Sequence, residues 1–362
     1  MHIKYFDIIY LNTFYKVNAM SKKNYTIADY ENDKRISGVD HILFKIEKVI
    51  DWSRIKKIID PTDYRHTNTT GPDGFSPMLM FRVFLVQAIY NLSDRGTENS
   101  LKGDLFVIKF CGLSTSDSVP DHTTMCRWRN RMIEFDVFVS ALNDFHDQLE
   151  EKGLTLKEGA IVDATIIDSK ARPRKKVIID INSSSGEQSD SPDGSSILQV
   201  HEETSKCPDS RWITMGKKSR YGFKSVAGVC KYGLFRKVIT TTANIADVSL
   251  FPEIISALNL TKGTEVFADR GNASDFNRGF LWRNGLVDKI MIKRNRDEPI
   301  DEEIVEWNKC ISKIRFVVER SFGGIKSRFD MYRSKYMGLT KTHNSFVLRA
   351  FAYNLIRCTK LL

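Results

Sequence analysis

Hydrophobic positions change period near the middle of the chain, from helical spacing to strand alternation, and this predicts a helical first half and a mixed second half. Ser76 and Pro77 form an N-cap and first-turn pair, and the run from Met78 to Leu92 is apolar on nearly every side, as a central buried helix would be. A second helix is expected over Thr97 to Cys111, closed by a turn at Gly112-Leu113-Ser114. Pro120-Asp121 opens a third, which carries His122, Thr123, Thr124, Arg127, Trp128, Arg129 and Arg131. A fourth, from Phe135 to Lys152, ends at Gly153.

Beyond Gly153, the run Ala160 to Ile167 is apolar except for Asp163, the pattern of a buried central strand with one acid inserted. A lone carboxylate there is unfavourable unless a cation neutralises it. A hairpin follows, Gly222 to Val229 and Leu234 to Thr242, then a helix from Asp247 to Leu258 and a strand that delivers Asp269. A short strand over Lys289 to Lys293 and a long helix from Glu302 to Phe329 complete the expected order. Residues 170–208 break the pattern: a basic cluster from Arg172 to Lys176 precedes a serine-rich run from Ser183 to Ser196, read as a mobile loop too polar to pack.

A length of 362 residues with 41% hydrophobic content suits two cores. We therefore expect residues 51–153 as an all-α domain, whose arginine-bearing third helix suits a helix-turn-helix-type DNA-binding unit, and residues 154–362 as an α/β domain whose inserted acid makes it the candidate catalytic one. Residues 1–50 are expected as an extension and arm, in which Met20 reads like a true start and residues 1–19 like a mis-called one. The net charge of +10 favours a polyanionic partner, because neutralising phosphates releases counterions. The six cysteines show no paired spacing that would hold zinc, and no apolar run is long enough to span a bilayer, so a reduced, cytoplasmic, nucleoid-associated protein with no membrane partner is expected.

Candidate chemistry centres on the helix around Glu319. At roughly 100° per residue, Arg315 lies about 40° and Lys326 about 20° round the axis from Glu319, so the three share a face. With Asp163 and Asp269 presented by strands, the three carboxylates form a set that would hold a pair of divalent cations for in-line displacement at a phosphodiester. Asp168, Asp247 and Glu265 are read as structural.

In these residues the chain resembles the DDE transposases of bacterial insertion sequences, in particular the insertion sequence 5 group. The resemblance runs from about Asp51 to Leu362 through six ordered blocks: Gly74 to Pro77, Val119 to Thr124, Val162 to Thr165, Ala268 to Gly271, Val318 to Phe322 and Ala352 to Leu355. The family's helix signature of Tyr, Arg, Glu and Lys falls on Ser312, Arg315, Glu319 and Lys326, so its tyrosine is absent here, and Asn272 stands where an aromatic often follows Asp-Arg-Gly. The resemblance implies a ribonuclease-H-like fold, a magnesium requirement that manganese can meet, and metal ligation by Asp163, Asp269 and Glu319. It also implies a homo-oligomer on double-stranded DNA that binds terminal inverted repeats, cleaves them and transfers strands to target DNA. Two alternatives are a catalytically silent descendant acting as a repressor, and a metal-dependent nuclease without strand transfer.

Charge patterning adds DNA contacts to this expectation. Arg315 and Lys326 are expected to meet phosphates, with salt bridges to Glu319 as the ordinary alternative. Arg127, Arg129 and Arg131 crowd one helix, where solvated arginines around a core Trp128 are the ordinary alternative. Lys217, Lys218 and Lys224 interleave with Trp212, Tyr221 and Phe223, a mixture suited to distorted or single-stranded ends, although Tyr221 and Phe223 share a strand face and would equally pack under the sheet.

Overall fold

A computed structural model of the chain describes residues 25–63, 74–154, 156, 159–172, 206–293 and 301–362. The candidate start at Met20, the serine-rich run and most of the basic cluster before it lie outside the described residues.

Eight described helices precede the sheet: α1 (Ile27–Ile36), α2 (Ile42–Val49), α3 (Trp52–Ile59), α4 (Pro77–Ile89), α5 (Asp94–Gly103), α6 (Leu105–Cys111), α7 (His122–Glu134) and α8 (Val137–Glu151). Their ends follow capping chemistry: the Ser76 hydroxyl accepts from the Leu79 N–H, and the Asp121 carboxylate accepts from the Thr124 N–H. The single helix expected over Thr97 to Cys111 is two, because Asp104 ends α5 and caps α6, its carboxylate accepting from the N–H groups of Phe106 and Val107. Within the expected N-terminal arm lie α1 and α2, and Leu43, Ile46 and Val49 are buried in the main core.

Six strands form one mixed sheet: β1 (Ala160–Asp168), β2 (Arg211–Met215), β3 (Lys218–Cys230), β4 (Phe235–Thr242), β5 (Glu265–Ala268) and β6 (Val287–Ile290). β3 pairs antiparallel with β1 and β4, while β1, β5 and β6 run parallel to one another in that order. β2 pairs with the first residues of β3, Lys218 to Gly222. Where β2, β3 and β1 meet, Gly222 leaves no room for a side chain, because a Cβ there would stand 2.1 Å from the Ile167 carbonyl oxygen.

Helices cover both faces, which explains the continuous apolar reading of β1. On one face, α9 (Asp247–Leu258) and α10 (Asp275–Arg283) enclose a core built on Ala160, Val162, Val226 and Val266. The other face meets α11 (Glu302–Phe329) and α12 (Leu339–Cys358), and its core includes Ile161, Ile167, Ala227 and Phe267. α12 is buried on almost every side and packs against β4, α8, α4 and α2, so the core runs unbroken across the boundary expected at residue 153. Phe351 holds this junction: its ring meets Phe81 of α4 at 6.1 Å and Phe145 of α8 at 5.5 Å.

A polar tie accompanies the packing. Asn354 of α12 takes the Phe235 N–H on its Oδ1 at 2.9 Å and donates from Nδ2 to the Phe235 carbonyl at 2.8 Å. His146 of α8 lies 2.9 Å from the same carbonyl, and burial holds its pKa down at about 3, so the ring is neutral in the fold.

Two outcomes follow for stability. Phe351→Ala should lower the unfolding free energy by about 3–5 kcal/mol, read by denaturant melts, since it opens a cavity between three helices. His146 has a folded pKa below its usual 6.5, so its stabilising contribution should be lost as pH falls from about 6.5 toward 3, and His146→Gln should remove that component of the acid slope.

Candidate active site

The backbone register of the sheet assembles the acidic residues. β1 and β5 pair Ala160 with Val266 and Ile161 with Phe267, and the same offset carried two residues further sets Asp163 across from Asp269, the first residue beyond β5. Paired residues of parallel neighbours share a face, so both carboxylates stand with Ile161 and Phe267 on the side covered by α11. α11 crosses β1 and β5 there and carries exposed Glu319.

Asp163 is the most constrained of the three. Its side chain is 23% exposed, Oδ1 accepts from the Ala164 N–H at 2.9 Å, and the Arg315 Nη2 lies 3.5 Å from the same oxygen. Burial pushes its pKa up to about 6, against the opposing pull of Arg315 and the Ala164 N–H, and the nearby Asp269 and Glu319 carboxylates push it further in the same direction. That mutual repulsion shows three acids sharing one electrostatic neighbourhood.

Asp269 is held from its own loop. Asn272 donates from Nδ2 to Asp269 Oδ1 at 2.9 Å, and Gly271 lies so close that a Cβ there would be 3.1 Å from that oxygen. The residue that departs from the aromatic at position 272 therefore positions an acid, a role the sequence pattern did not reveal. Arg315 also differs from expectation. It is buried, pairs with Asp163 rather than Glu319, and donates from Nη1 to the Met291 sulfur at 3.7 Å. Lys326 is half-buried, with its amine pKa lowered by burial and by Arg220 while Asp163 opposes the shift.

Among the described residues no three His, Cys, Asp or Glu side chains converge into a ready metal-ligand set. The donor chemistry nonetheless fits a hard divalent cation: three carboxylate donors of like charge, one of them half-buried with its ionised form disfavoured by burial. Exposed Glu319 has the rotamer freedom to complete the set.

The candidate DNA contacts divide. Arg127, Lys217 and Lys218 are exposed. Arg131 is half-buried and donates from Nε to the Thr62 carbonyl. Arg129 is turned into the core, paired with Asp94, bonded to Gln87 and set 4.8 Å from the Tyr336 ring centroid. Lys224 is likewise buried, its Nζ donating to the Ile245 carbonyl and pairing with Asp247. Each is paired with an acid remote in sequence and is buried rather than presented to solvent.

With this geometry in view, comparison with known proteins is decisive. The family described as the transposase DDE domain matches residues 155–355, and a transposase domain (DUF772) matches residues 30–131. The chain belongs to the DDE transposase family. A relative, the transposase for insertion sequence element IS1106 of Neisseria meningitidis serogroup B, is 32% identical over 238 residues, 65% of this chain and 78% of that protein. Among solved structures, the piggyBac transposase synaptic complex with hairpin DNA aligns at a TM-score of 0.45 and 9% identity, covering 90% of this chain and 76% of that one. The Mos1 transposase paired-end complex aligns at 0.20 and 8%, covering 90% of this chain and 96% of that one. Likenesses this distant carry no argument about this DDE transposase.

The pKa of Asp163 gives a test on metal-free protein. The folded state keeps a proton on Asp163 up to about pH 6, whereas an unfolded aspartate loses it near 3.8, so the stability of wild type relative to Asp163→Asn should decline as pH rises between those values and level off above. Denaturant melts of both proteins from pH 4 to 8 measure this difference, and a flat difference would contradict the assignment.

Proposed function

We propose that the protein is a transposase of the insertion sequence 5 group, which binds the terminal inverted repeats of its element, cleaves their phosphodiester bonds and transfers the freed strand to target DNA. The observation that carries this reading is the side-by-side placement of Asp163 and Asp269 beneath the helix of Glu319. The strand pattern supports a ribonuclease-H-like catalytic fold: three antiparallel strands followed by two parallel ones, β4-β3-β1-β5-β6.

Asp163, Asp269 and Glu319 would hold a pair of divalent cations, magnesium or manganese, which when bound would neutralise charge on the scissile phosphate and lower the pKa of an attacking water. The chain's own residues prepare the site. Arg315 and the Ala164 N–H favour the ionised, ligating form of Asp163 against burial, and Asn272 fixes the Asp269 carboxylate. Lys326 offers a partly desolvated ammonium on the face of Glu319, suited to a phosphate oxygen. No protein nucleophile is required, so serine, cysteine and tyrosine are dispensable for bond breaking. Exposed Arg127, Lys217 and Lys218 would track phosphates, and two element ends held together would require a homo-oligomer. The site of action is the bacterial cytoplasm, on the nucleoid; among the described residues no helix is long and apolar enough to cross a membrane.

The alternative is a catalytically silent DNA-binding descendant acting as a repressor. One experiment separates the two. Wild type incubated with magnesium and a labelled duplex carrying the inverted repeat should nick it at the end, while Asp269→Asn should lose roughly 100- to 1,000-fold in rate and still bind, the range typical of removing a main electrostatic element. Sequence-specific binding without cleavage by wild type would support the non-catalytic alternative.

A further inference from the structure

Behind Asp269 and Asn272 stands a second buried amide. Asn277, in the first turn of α10, is wholly buried, and its Nδ2 donates to the Asn272 carbonyl at 2.9 Å and to the Val248 carbonyl of α9 at 3.1 Å. Two carbonyl neighbours fix which end of the amide is the NH2, since only a donor serves both. The remaining Oδ1 is buried and has no hydrogen-bond partner among the described residues. An orphaned acceptor is a cost that a leucine of similar size would avoid, so space filling alone does not account for an asparagine here.

From Asn277 the contacts lead to the acid. The Asn272 N–H donates to the Asp269 carbonyl at 3.2 Å, closing the turn of residues 269–272, and its Nδ2 donates to Asp269 Oδ1. Asn272 is itself only 5% exposed. The Asn277 N–H donates to the Ser274 hydroxyl at 3.2 Å, which fixes the far end of the chain of contacts. One oxygen of Asp269 is thereby committed to an amide, whereas Oδ2 accepts from no donor among the described residues.

A carboxylate pinned at one oxygen and free at the other presents a single, oriented donor. We propose that Asn277 is a positioning residue, which acts through Asn272 to hold Asp269 as a one-oxygen ligand, through Oδ2, to a divalent cation. Neither asparagine is itself a ligand. The clamp freezes the carboxylate before the cation arrives, so its loss shows as weaker metal binding. This rests on the metal-site reading above.

The test titrates manganese into the metal-free full chain, with no DNA present, and follows the paramagnetic resonance signal of the free ion. Asn272→Ala and Asn277→Leu should each weaken binding roughly 10- to 100-fold. The double variant should bind only as weakly as Asn272→Ala, because Asn277 reaches the acid through Asn272 alone. Asn277→Ser, whose short hydroxyl serves at most one of the two carbonyls, gives the same readout should the leucine variant fail to fold. In cleavage of the inverted repeat, the single variants should lose rate at low manganese and regain it as manganese is raised. Unchanged affinity in the single variants, losses that multiply in the double variant, or a rate that added manganese does not restore would overturn the proposal. Wild type that binds no manganese, or binds it as tightly with Asp269→Asn, would instead overturn the metal site, and the clamp with it.

Discussion

The hydrogen-bond register between two parallel strands governs the functional part of this molecule. β1 and β5 are locked at one offset, and only that offset brings Asp163 and Asp269 to the same level and the same face. A slip by one residue would turn the face of one strand over, replacing its acid with an apolar neighbour and burying the carboxylate against α9. The electrostatics follow from this placement. A half-buried acid beside two others is held partly protonated, and Arg315 reaches it from α11 as a partial counter-charge. The site is thus an acidic neighbourhood short of positive charge, which is the condition a divalent cation relieves.

The core fixes the height of α11 above the sheet. Gly324 lets α12 approach so closely that a Cβ would meet the Tyr353 ring at 2.8 Å, and the Ser321 hydroxyl donates to the Gly233 carbonyl at 2.9 Å. α12 in turn docks into the N-terminal helices through Phe351, so the helical layer and the sheet share one core. The helices carrying candidate DNA contacts and the helix carrying Glu319 are consequently linked through packed side chains rather than through a linker alone.

Much of the secondary structure was legible in the sequence because local chemistry specified it: an acid interrupting an apolar strand at Asp163, a capped helix after Ser76, and the long helix after Asp301. Other features were not. α12 has no polar face to produce a stripe, β2 is almost wholly exposed and has no buried alternation, and the break at Asp104 depends on a cap that also reads as an ordinary helical residue. The site divides in the same way. Angular spacing along α11 put Arg315 on the side of Glu319 but took in only its own helix, whereas its partner, Asp163, comes from a strand. For Arg129 and Lys224, the neutralising residues Asp94 and Asp247 are brought in by tertiary structure, which no run of like charges discloses.

Catalysis on this reading depends on these three acids sharing a pair of divalent cations. The most direct measurement replaces magnesium with ferrous iron and maps where hydroxyl radicals generated at the bound metal cut the polypeptide. The account predicts cuts clustered around residues 163, 269 and 319, suppressed by excess magnesium and lost in Asp269→Asn. Cuts elsewhere, or a pattern indifferent to magnesium and to that substitution, would contradict it.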